Sequence, residues 1–386
     1  MSGKLTRRNF LAATAIAPFS SSLGRAQEPQ PTPGYPENVS SYLSRLYSEH
    51  RRQFSFQGDD PGRFAQWQQD ARPALRELIG LKNIASQVGK HDQIVHVDDE
   101  TNADGYTRRK GWIETEPDVR IPFWLLKPKG AGPFPLALLP HGHDKIGHDT
   151  YAGVFHDEDH KQQTLANDRS VAVQAVSRGF LAIAPATRGL GVDGVPDLTG
   201  RHGERDCRSQ LMHCLLAGRT AIGERVWDLS RLLDWATTLP EVDSRQTLMM
   251  GNSGGGMATL YTAACDERIT IAVPSCSFTT ITSPEGRIYH CDCNMVPGLL
   301  TWGDLYDVAG LIAPRWLLAV NGRRDKLHRA ASIERAAARA RMIYKAAGHP
   351  TRFEHRWGPE GHRFYSDLMW PFVMQAVQEP ASQHKS

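Results

Sequence analysis

Residues 246–260 read Gln-Thr-Leu-Met-Met-Gly-Asn-Ser-Gly-Gly-Gly-Met-Ala-Thr-Leu and contain a Gly-x-Ser-x-Gly motif at 251–255. A short apolar segment leads into the motif, and helix-compatible sequence follows it. This order is typical of a nucleophile elbow, a sharp strand-to-helix turn that exposes its serine, here Ser253. Glycine is expected on both sides because larger side chains would crowd so tight a turn. The N–H of Gly254 would then lie at a helix N-terminus, where it can stabilise an oxyanion.

The composition of the whole chain limits what it can be. It has 386 residues, of which 40% are hydrophobic, and a formal net charge of +3. This is enough for one large α/β domain with additions, or for two domains. The near-neutral charge and the lack of a basic stripe argue against a nucleic-acid-binding protein. The expected partner is a small-molecule or carbohydrate substrate, and the oligomeric state stays open.

The first 26 residues have the pattern of an export signal. Thr6-Arg7-Arg8-Asn9-Phe10-Leu11 precedes an apolar stretch at 12–19, and small residues follow near Gly24-Arg25-Ala26. A basic start, a short apolar stretch and small residues predict a signal peptide, and the paired arginines indicate twin-arginine export. The stretch is too short for a permanent anchor, and no later segment is apolar enough to insert in a membrane. We therefore expect a periplasmic or secreted protein.

The remainder divides into a helical flank at 27–92 and a catalytic domain at 93–380. Apolar residues recur at helical spacing in 39–47 and 72–81, which predicts two helices of the flank. Alternating apolar and polar residues in 93–127 predict antiparallel strands at the start of a sheet.

Further along, short apolar runs alternate with helical patterns. The best helices are predicted at 222–236 and 333–344, each with one apolar face. Alternation of buried strands and helices indicates an α/β fold with a mostly parallel sheet covered on both sides. The predicted strands are Leu136–Leu139, Phe180–Ala184, Thr247–Met250, Ile269–Val273, Trp316–Val320 and Thr351–Arg356.

A serine nucleophile requires a base and an acid that orients the base. Asp325 follows the predicted strand at 316–320, and His362 lies in a glycine-flanked loop after the last one. The order Ser, Asp, His suits a nucleophile elbow of this kind, so Asp325 is the predicted acid and His362 the predicted base. The weaker candidates are Asp304, Asp307 and Glu360 for the acid, and His349 and His355 for the base.

The second oxyanion donor is expected in the loop after an early strand of the parallel sheet. His141-Gly142-His143 follows such a strand, and Gly142 would allow close approach of the backbone. The N–H of Gly142 or of His143 is therefore the predicted donor, without a choice between them. The alternative is that these residues form a simple turn.

Together, the serine motif, the His141–His143 turn, Asp325 and His362 resemble the α/β-hydrolase superfamily. Two further stretches, 218–228 and 290–315, are similar to the bacterial acetylxylan-esterase-like and dienelactone-hydrolase-like group. The resemblance covers about residue 123 to the end. It implies the α/β-hydrolase fold and an esterase activity, on acylated carbohydrate. Asn252 departs from the pattern, since related esterases often carry histidine there, which puts the shape of the acyl pocket in question.

The residues that bind substrate are harder to identify. Arg287, Tyr289 and Trp302 precede the strand of the acid, in a region that could border the cleft. Aromatic faces suit sugar rings, and arginine suits a carboxylate such as that of a uronic acid. Trp302 could equally be a core residue.

Two other functions stay open. A serine peptidase could use the same fold, although the chain lacks room for a large gating domain. A metal-dependent hydrolase could use the histidine- and aspartate-rich loop at 141–160, although its spacing matches no known metal motif. His290-Cys291-Asp292-Cys293 could also bind zinc, but a tetrahedral site needs a fourth ligand, so packing or a disulfide is the favoured interpretation. We expect no cofactor and no catalytic metal.

Overall fold

The computed structural model describes residues 34–48, 52–58, 60–191 and 193–379. The predicted signal peptide at 1–26 lies outside these residues. Within the described ranges, no helix is long and apolar enough to cross a membrane.

Ten strands of the described chain form one mixed sheet in the order β1-β3-β4-β6-β5-β7-β8-β9-β10, and β2 pairs with β3. The pairs among β1 to β4, and β4 with β6, are antiparallel. Every neighbouring pair from β6 to β10 is parallel. The strands are β1 Ile94–Val97, β2 Thr101–Asn102, β3 Tyr106–Glu116, β4 Val119–Pro128, β5 Phe134–Leu138, β6 Leu181–Pro185, β7 Val242–Asn252, β8 Ile271–Ser275, β9 Trp316–Gly322 and β10 Phe353–Gly358.

The helices precede, connect and cover the strands. They are α1 Glu37–Ser48, α2 Pro61–Leu78, α3 Leu81–Val88, α4 Gly147–Tyr151, α5 Glu158–Ala166, α6 Val171–Val176, α7 Asp206–Leu216, α8 Ala221–Ala236, α9 Gly254–Cys265, α10 Leu299–Trp302, α11 Leu305–Gly310, α12 Ala330–Ala346 and α13 Ser366–Gln378, with short 3₁₀ turns at Asp292–Asn294 and Pro350–Arg352.

The sheet separates two hydrophobic cores. Along a strand, successive side chains point to opposite faces, so Leu317 and Leu318 of β9 belong to different cores. One core includes residues of α2, α3, α8, α9 and α12. The other is closed by α6 and α13, through residues such as Ala172 and Val373. The predicted parallel sheet with helices on both faces is confirmed.

The N-terminal helices pack on this sheet. Leu75 and Ile84 are fully buried and belong to the same core as the strands. The helix predicted over 72–81 is partly wrong, because it begins at Pro61 and stops before residue 81. The helix ends because Gly80 adopts a positive φ of 85°, a conformation that favours glycine, and α3 then starts at Leu81.

The order of the central strands creates a crevice at one edge of the sheet. The chain passes from β5 to β6 on one side of β5 and later enters β7 on the other side. In open α/β sheets, ligands bind outside the carboxyl ends of the strands where the order reverses in this way. The segments after β5 and β7 carry the His141–His143 turn and Ser253, so the topology brings these two predicted elements together.

Candidate active site

Ser253 occupies a strained turn between β7 and α9. Its φ and ψ are 58° and −120°, a conformation that non-glycine residues rarely adopt. The N–H of Ser253 donates to the carbonyl of Ser275 at 2.8 Å, which fixes the turn against the end of β8. Strain of this kind is characteristic of functional positions held by their surroundings. The predicted elbow is therefore present.

The glycines around Ser253 have a steric role. A Cβ at Gly255 would lie 2.1 Å from the carbonyl oxygen of Pro140, and one at Gly251 would lie 2.5 Å from the same atom. A Cβ at Gly142 would lie 3.2 Å from Cβ of Ser253 and 3.3 Å from N of Gly254. These contacts show that the turn after β5 packs directly against the elbow.

Asp325 and His362 meet at the ends of two neighbouring strands. Asp325 follows β9, His362 follows β10, and the two strands are paired in parallel. The Nδ1 atom of His362 donates to Oδ2 of Asp325 at 2.7 Å. Gly322 makes the approach of the loops possible, because a Cβ there would lie 2.1 Å from the carbonyl oxygen of Gly361.

The carboxyl of Asp325 is favoured in its ionised form. Burial acts to raise its pKa, but hydrogen bonds from His362 and from the N–H of Leu327 outweigh burial and lower the pKa below its usual range. A buried carboxylate on Nδ1 keeps the proton on that nitrogen and leaves Nε2 available as a base. Among the described residues, no hydrogen bond joins Nε2 of His362 to Oγ of Ser253. Such catalytic contacts are often loose without substrate.

The other candidate acids have structural partners. Asp304 caps α11 and accepts from the N–H groups of Ile281 and Leu305. Asp307 accepts from the N–H groups of Phe56 and Asp304. These bonds use both carboxylates inside the core, away from any histidine base. For Glu360 and His355, the partners are Arg324 and Asn321.

The turn at 141–143 is held by a buried histidine. Nδ1 of His141 lies 2.7 Å from the carbonyl oxygen of Gly142, and its Nε2 accepts from the N–H of Thr187. Burial lowers the pKa of His141 to about 4, so the ring is neutral and donates from Nδ1. In the described chain, the N–H groups of Gly142, His143 and Gly254 make no hydrogen bond. They are free to serve as the predicted oxyanion donors.

Ser253 opens into a cavity of about 690 Å³. Of the predicted substrate-binding residues, Tyr289 lines this cavity, whereas Arg287 and Trp302 do not. Trp302 is only 4% exposed and donates from its indole to the carbonyl of Ala71. Its assignment to the substrate site was wrong, because an aromatic residue near a cleft loop can equally fill the core.

Arg205 and Arg208 also line the cavity, and neither was predicted from the sequence as a site residue. Both lie at the start of α7 and contact the carboxylate of Asp292 across the cavity. They come from the long excursion between β6 and α8, far along the chain from the serine motif. No local pattern marks them as cleft residues.

Cys276 is a further residue beside the site. Its Sγ lies within 4.8 Å of ligand atoms of both Asp325 and His362. Burial, followed by the charge of Asp325, raises the pKa of its thiol to about 11. It is therefore a neutral side chain packed under the Asp–His pair, and not a competing nucleophile.

The loop at 141–160 does not assemble the metal site considered above. His156 pairs with Asp149 at 3.0 Å, and His160 bonds to Thr150 at 2.9 Å. These polar groups hold α4 and α5 together. Among the described residues, only His143 of this loop belongs to a group of three or more side chains that could share one metal ion.

Comparisons with known proteins bear on the fold. No family model matches the chain. Over 233 residues it is 24% identical to YtaP of Bacillus subtilis (strain 168), a protein provisionally named as a hydrolase; the match covers 59% of this chain and 73% of that protein.

Similar solved structures include three esterases. An acetyl xylan esterase of provisional assignment from Bacteroides fragilis NCTC 9343 has a TM-score of 0.71 and 17% identity, covering 87% of this chain and 94% of that one. Methylesterase BT1017 has a TM-score of 0.62 and 20% identity, and the match covers 89% of this chain and 67% of that one. A glucuronoyl esterase from Solibacter usitatus has a TM-score of 0.58 and 15% identity, and the match covers 82% of this chain and 93% of that one. With the strand order and the elbow, these likenesses show that the chain has the α/β-hydrolase fold that its motifs predicted.

Proposed function

We propose that this protein is a serine esterase that hydrolyses carboxylic esters of carbohydrates through an acyl-enzyme. The observation that carries the proposal is the hydrogen bond between Asp325 and His362, on the same sheet edge as the strained Ser253. A half-buried serine that lines the cavity at the same sheet edge as such a pair, with unpaired N–H groups in the adjoining turns, is suited to acyl transfer.

In this mechanism, Oγ of Ser253 attacks the ester carbonyl while Nε2 of His362 takes its proton. The imidazole then gives that proton to the departing alcohol oxygen. Asp325 stabilises the charged ring. The N–H of Gly254, with that of Gly142 or His143, stabilises the oxyanion. Water, activated by the same imidazole, releases the acid and restores the serine.

The proposed substrate class rests on the cavity and on the relatives. The three solved structures named above are all called esterases, and two of the names concern xylan or a glucuronoyl group. The cavity of about 690 Å³ has room for a sugar unit with its acyl group. Tyr289 brings an aromatic ring to the cavity wall, which suits a sugar ring. Arg205 and Arg208 share the single carboxylate of Asp292, so this pair of guanidiniums keeps an excess of one positive charge that suits acidic carbohydrate.

The test compares the wild type with Ser253→Ala on p-nitrophenyl esters, acetylated xylan, glucuronate esters and a peptide panel. We expect the wild type to cleave esters. Ser253→Ala should lose at least a thousandfold in kcat while its melting temperature is retained, because only the nucleophile is removed. Ester turnover by Ser253→Ala at the wild-type rate would end the assignment.

Two outcomes would favour the other functions. Cleavage restricted to peptides would indicate a serine peptidase. Activity that survives in Ser253→Ala and disappears with a chelator would indicate a metal-dependent hydrolase. Full ester activity of a Cys276→Ala variant is the matched control, since that thiol lies beside the Asp–His pair without taking part.

We also propose that residues 1–26 direct twin-arginine export, on the basis of Arg7-Arg8 and the apolar stretch that follows. Fusion of these residues to a folded reporter should place it in the periplasm. Replacing both arginines by lysine should retain the reporter in the cytoplasm. Unchanged export of the lysine variant would contradict the proposal.

A further inference from the structure

Three cysteines and a histidine from three separate segments converge at the wall of the cavity. His143 comes from the turn after β5, Cys207 from α7, and Cys291 and Cys293 from the 3₁₀ turn and the residue before it. Their ligand atoms all lie within 4.8 Å of one another. We call these four side chains the Cys₃His cluster. From it we infer that the protein binds one zinc-class metal ion through three thiolates and the Nε2 atom of His143.

The distances fit a tetrahedral metal centre. Zinc–sulfur bonds of about 2.3 Å and zinc–nitrogen bonds of about 2.0 Å place tetrahedral ligand atoms roughly 3.8 Å apart for two sulfurs and roughly 3.5 Å apart for sulfur and nitrogen. Sγ of Cys207 lies 3.9 Å from Sγ of Cys291. Sγ of Cys293 lies 3.4 Å from Nε2 of His143. Both separations are within a few tenths of an ångström of that geometry.

The set of ligands also fits zinc. Three thiolates with one imidazole form one of the usual closed, structural zinc sites, with no open position for catalysis. Cys207 and His143 join Cys291 and Cys293 as the third and fourth ligands. His290 is not one of the four, and its ring lies 4.7 Å from that of His328.

The surroundings provide the charge that such a centre needs. A divalent ion with three thiolates carries one net negative charge. Nη2 of Arg205 lies 2.8 Å from Sγ of Cys291, a contact that suits a thiolate. The buried Arg225 donates to the carbonyl of Cys293 at 3.4 Å and to Oδ1 of Asn294 at 3.1 Å. These two cations lie where they offset the negative charge that the centre would carry.

A disulfide explains the cluster less well. It would join two of the cysteines and leave the third thiol and the imidazole without a role. The two sulfurs of Cys207 and Cys291 are 3.9 Å apart, whereas a disulfide requires about 2.05 Å. A metal engages all four side chains with little movement.

The ion would join three parts of the cavity that no strand pairing connects. It would fasten α7 and the 3₁₀ turn to the turn that carries the proposed oxyanion donors. The inferred role is therefore structural: the metal holds the cavity wall and the backbone of residues 142–143 in register. Binding of the ion does not depend on the proposed hydrolysis.

The experiment measures metal in the full-length purified protein. Wild type produced with zinc in the medium should contain about one zinc per chain by inductively coupled plasma mass spectrometry, as expected for one four-ligand site. Cobalt(II) added to metal-depleted wild type should give a thiolate-to-cobalt charge-transfer band and tetrahedral d–d bands. Cys207→Ser and Cys293→Ser should lose at least tenfold in metal affinity. Cys265→Ser, which changes a buried cysteine outside the cluster, should keep the metal.

Ser253→Ala separates this inference from the proposed function. It should bind zinc as the wild type does, and a chelator should lower the melting temperature of both proteins equally, even if neither hydrolyses any ester. Absence of bound zinc together with absence of the cobalt–thiolate band in the wild type would overturn the inference. So would a Cys207–Cys291 disulfide found by peptide mapping of the unreduced protein.

Discussion

Asp325 lies beneath His362: its side chain is 2% exposed, whereas the imidazole that donates to it at 2.7 Å is 30% exposed. The carboxylate is therefore shielded from water, while the imidazole ring stays partly accessible to it. A shielded carboxylate holds one ring nitrogen protonated and orients the ring, and the exposed side of the imidazole is left for proton transfer.

The first prediction concerns this acid. Asp325→Asn should lower kcat roughly 10⁴-fold, because an amide in place of the carboxylate favours the wrong imidazole tautomer and no longer stabilises the charged ring. The melting temperature should change little, since the shape of the side chain is kept. Glu360→Gln, an exposed carboxylate paired with Arg324, is the control and should retain activity. Steady-state kinetics gives kcat for both variants. If Asp325→Asn lowered kcat no more than Glu360→Gln does, Asp325 would have no part in the mechanism.

A second prediction tests the turn beside the elbow. Gly142→Ala should lower kcat by about 10²–10³, the typical loss when one oxyanion donor is displaced. The added Cβ would lie 2.8 Å from the carbonyl oxygen of Asn252, so the turn must shift. Gly62→Ala places a methyl 3.4 Å from its nearest neighbour and should leave the rate unchanged. If Gly142→Ala retained full kcat, the second donor would have to come from another segment.

A third prediction concerns acid stability. Burial, only partly offset by the hydrogen bond to Gly142, lowers the pKa of His141 to about 4 in the folded protein, whereas the unfolded value is about 6.5. The unfolded state therefore binds the proton first, and folding stability falls as the pH drops from about 6.5 towards about 4. His141 therefore makes the free energy of unfolding about 3 kcal/mol larger above pH 6.5 than below pH 4.

Urea unfolding of wild type and His141→Gln at several pH values checks this contribution. His141→Gln should be less stable at neutral pH, because two buried hydrogen bonds are altered, but its stability should depend less on pH between 4 and 6.5. The exposed His213 provides a control, His213→Gln, which should follow the wild-type pH profile. If the free energy of unfolding of His141→Gln changed with pH as steeply as that of the wild type, His141 would not be the source of this pH dependence.

A fourth prediction addresses the buried ion network between the end of β3 and α8. Arg188 is 8% exposed and contacts Asp228 and Glu116, the latter at 2.6 Å. Arg188→Met should lower the free energy of unfolding by roughly 3–5 kcal/mol, because it removes the cation that pairs with the buried carboxylate of Asp228. Arg245→Met removes an exposed pair with Asp243 and should cost less than about 1 kcal/mol. Denaturant titration measures the free energy of unfolding of both variants. Equal losses in the two would show that burial of the ion pair does not determine its contribution to stability.

Much of the fold could be predicted because its signals are local. The run before Gly251 is apolar at three of the four positions that β7 buries there, Leu248, Met249 and Met250, and the glycines that follow mark the turn. Asp325 and His362 were found because each follows a strand, and parallel strands end at one sheet edge. Position relative to a strand was therefore enough to predict that these two side chains meet.

The features that were missed or wrong depend on distant packing. Cys293 and His143 are 150 residues apart, so no local spacing could show that they meet. Arg205 and Arg208 reach the cavity from an excursion whose path the sequence does not determine. Trp302 was wrongly assigned because an aromatic side chain in a loop region is compatible with either a cleft or a core.

The backbone bonds between strand ends have one further consequence. Ser253 donates to the carbonyl of Ser275, and Cys276 donates to that of Val320, so the termini of β7, β8 and β9 are tied in series. The outer side of the cavity at residues 288–289 belongs to a separate irregular segment. Substitutions in that segment can change which esters are accepted without disturbing the strand ends that hold Ser253. Residues 284–289 are therefore the natural target for engineering selectivity.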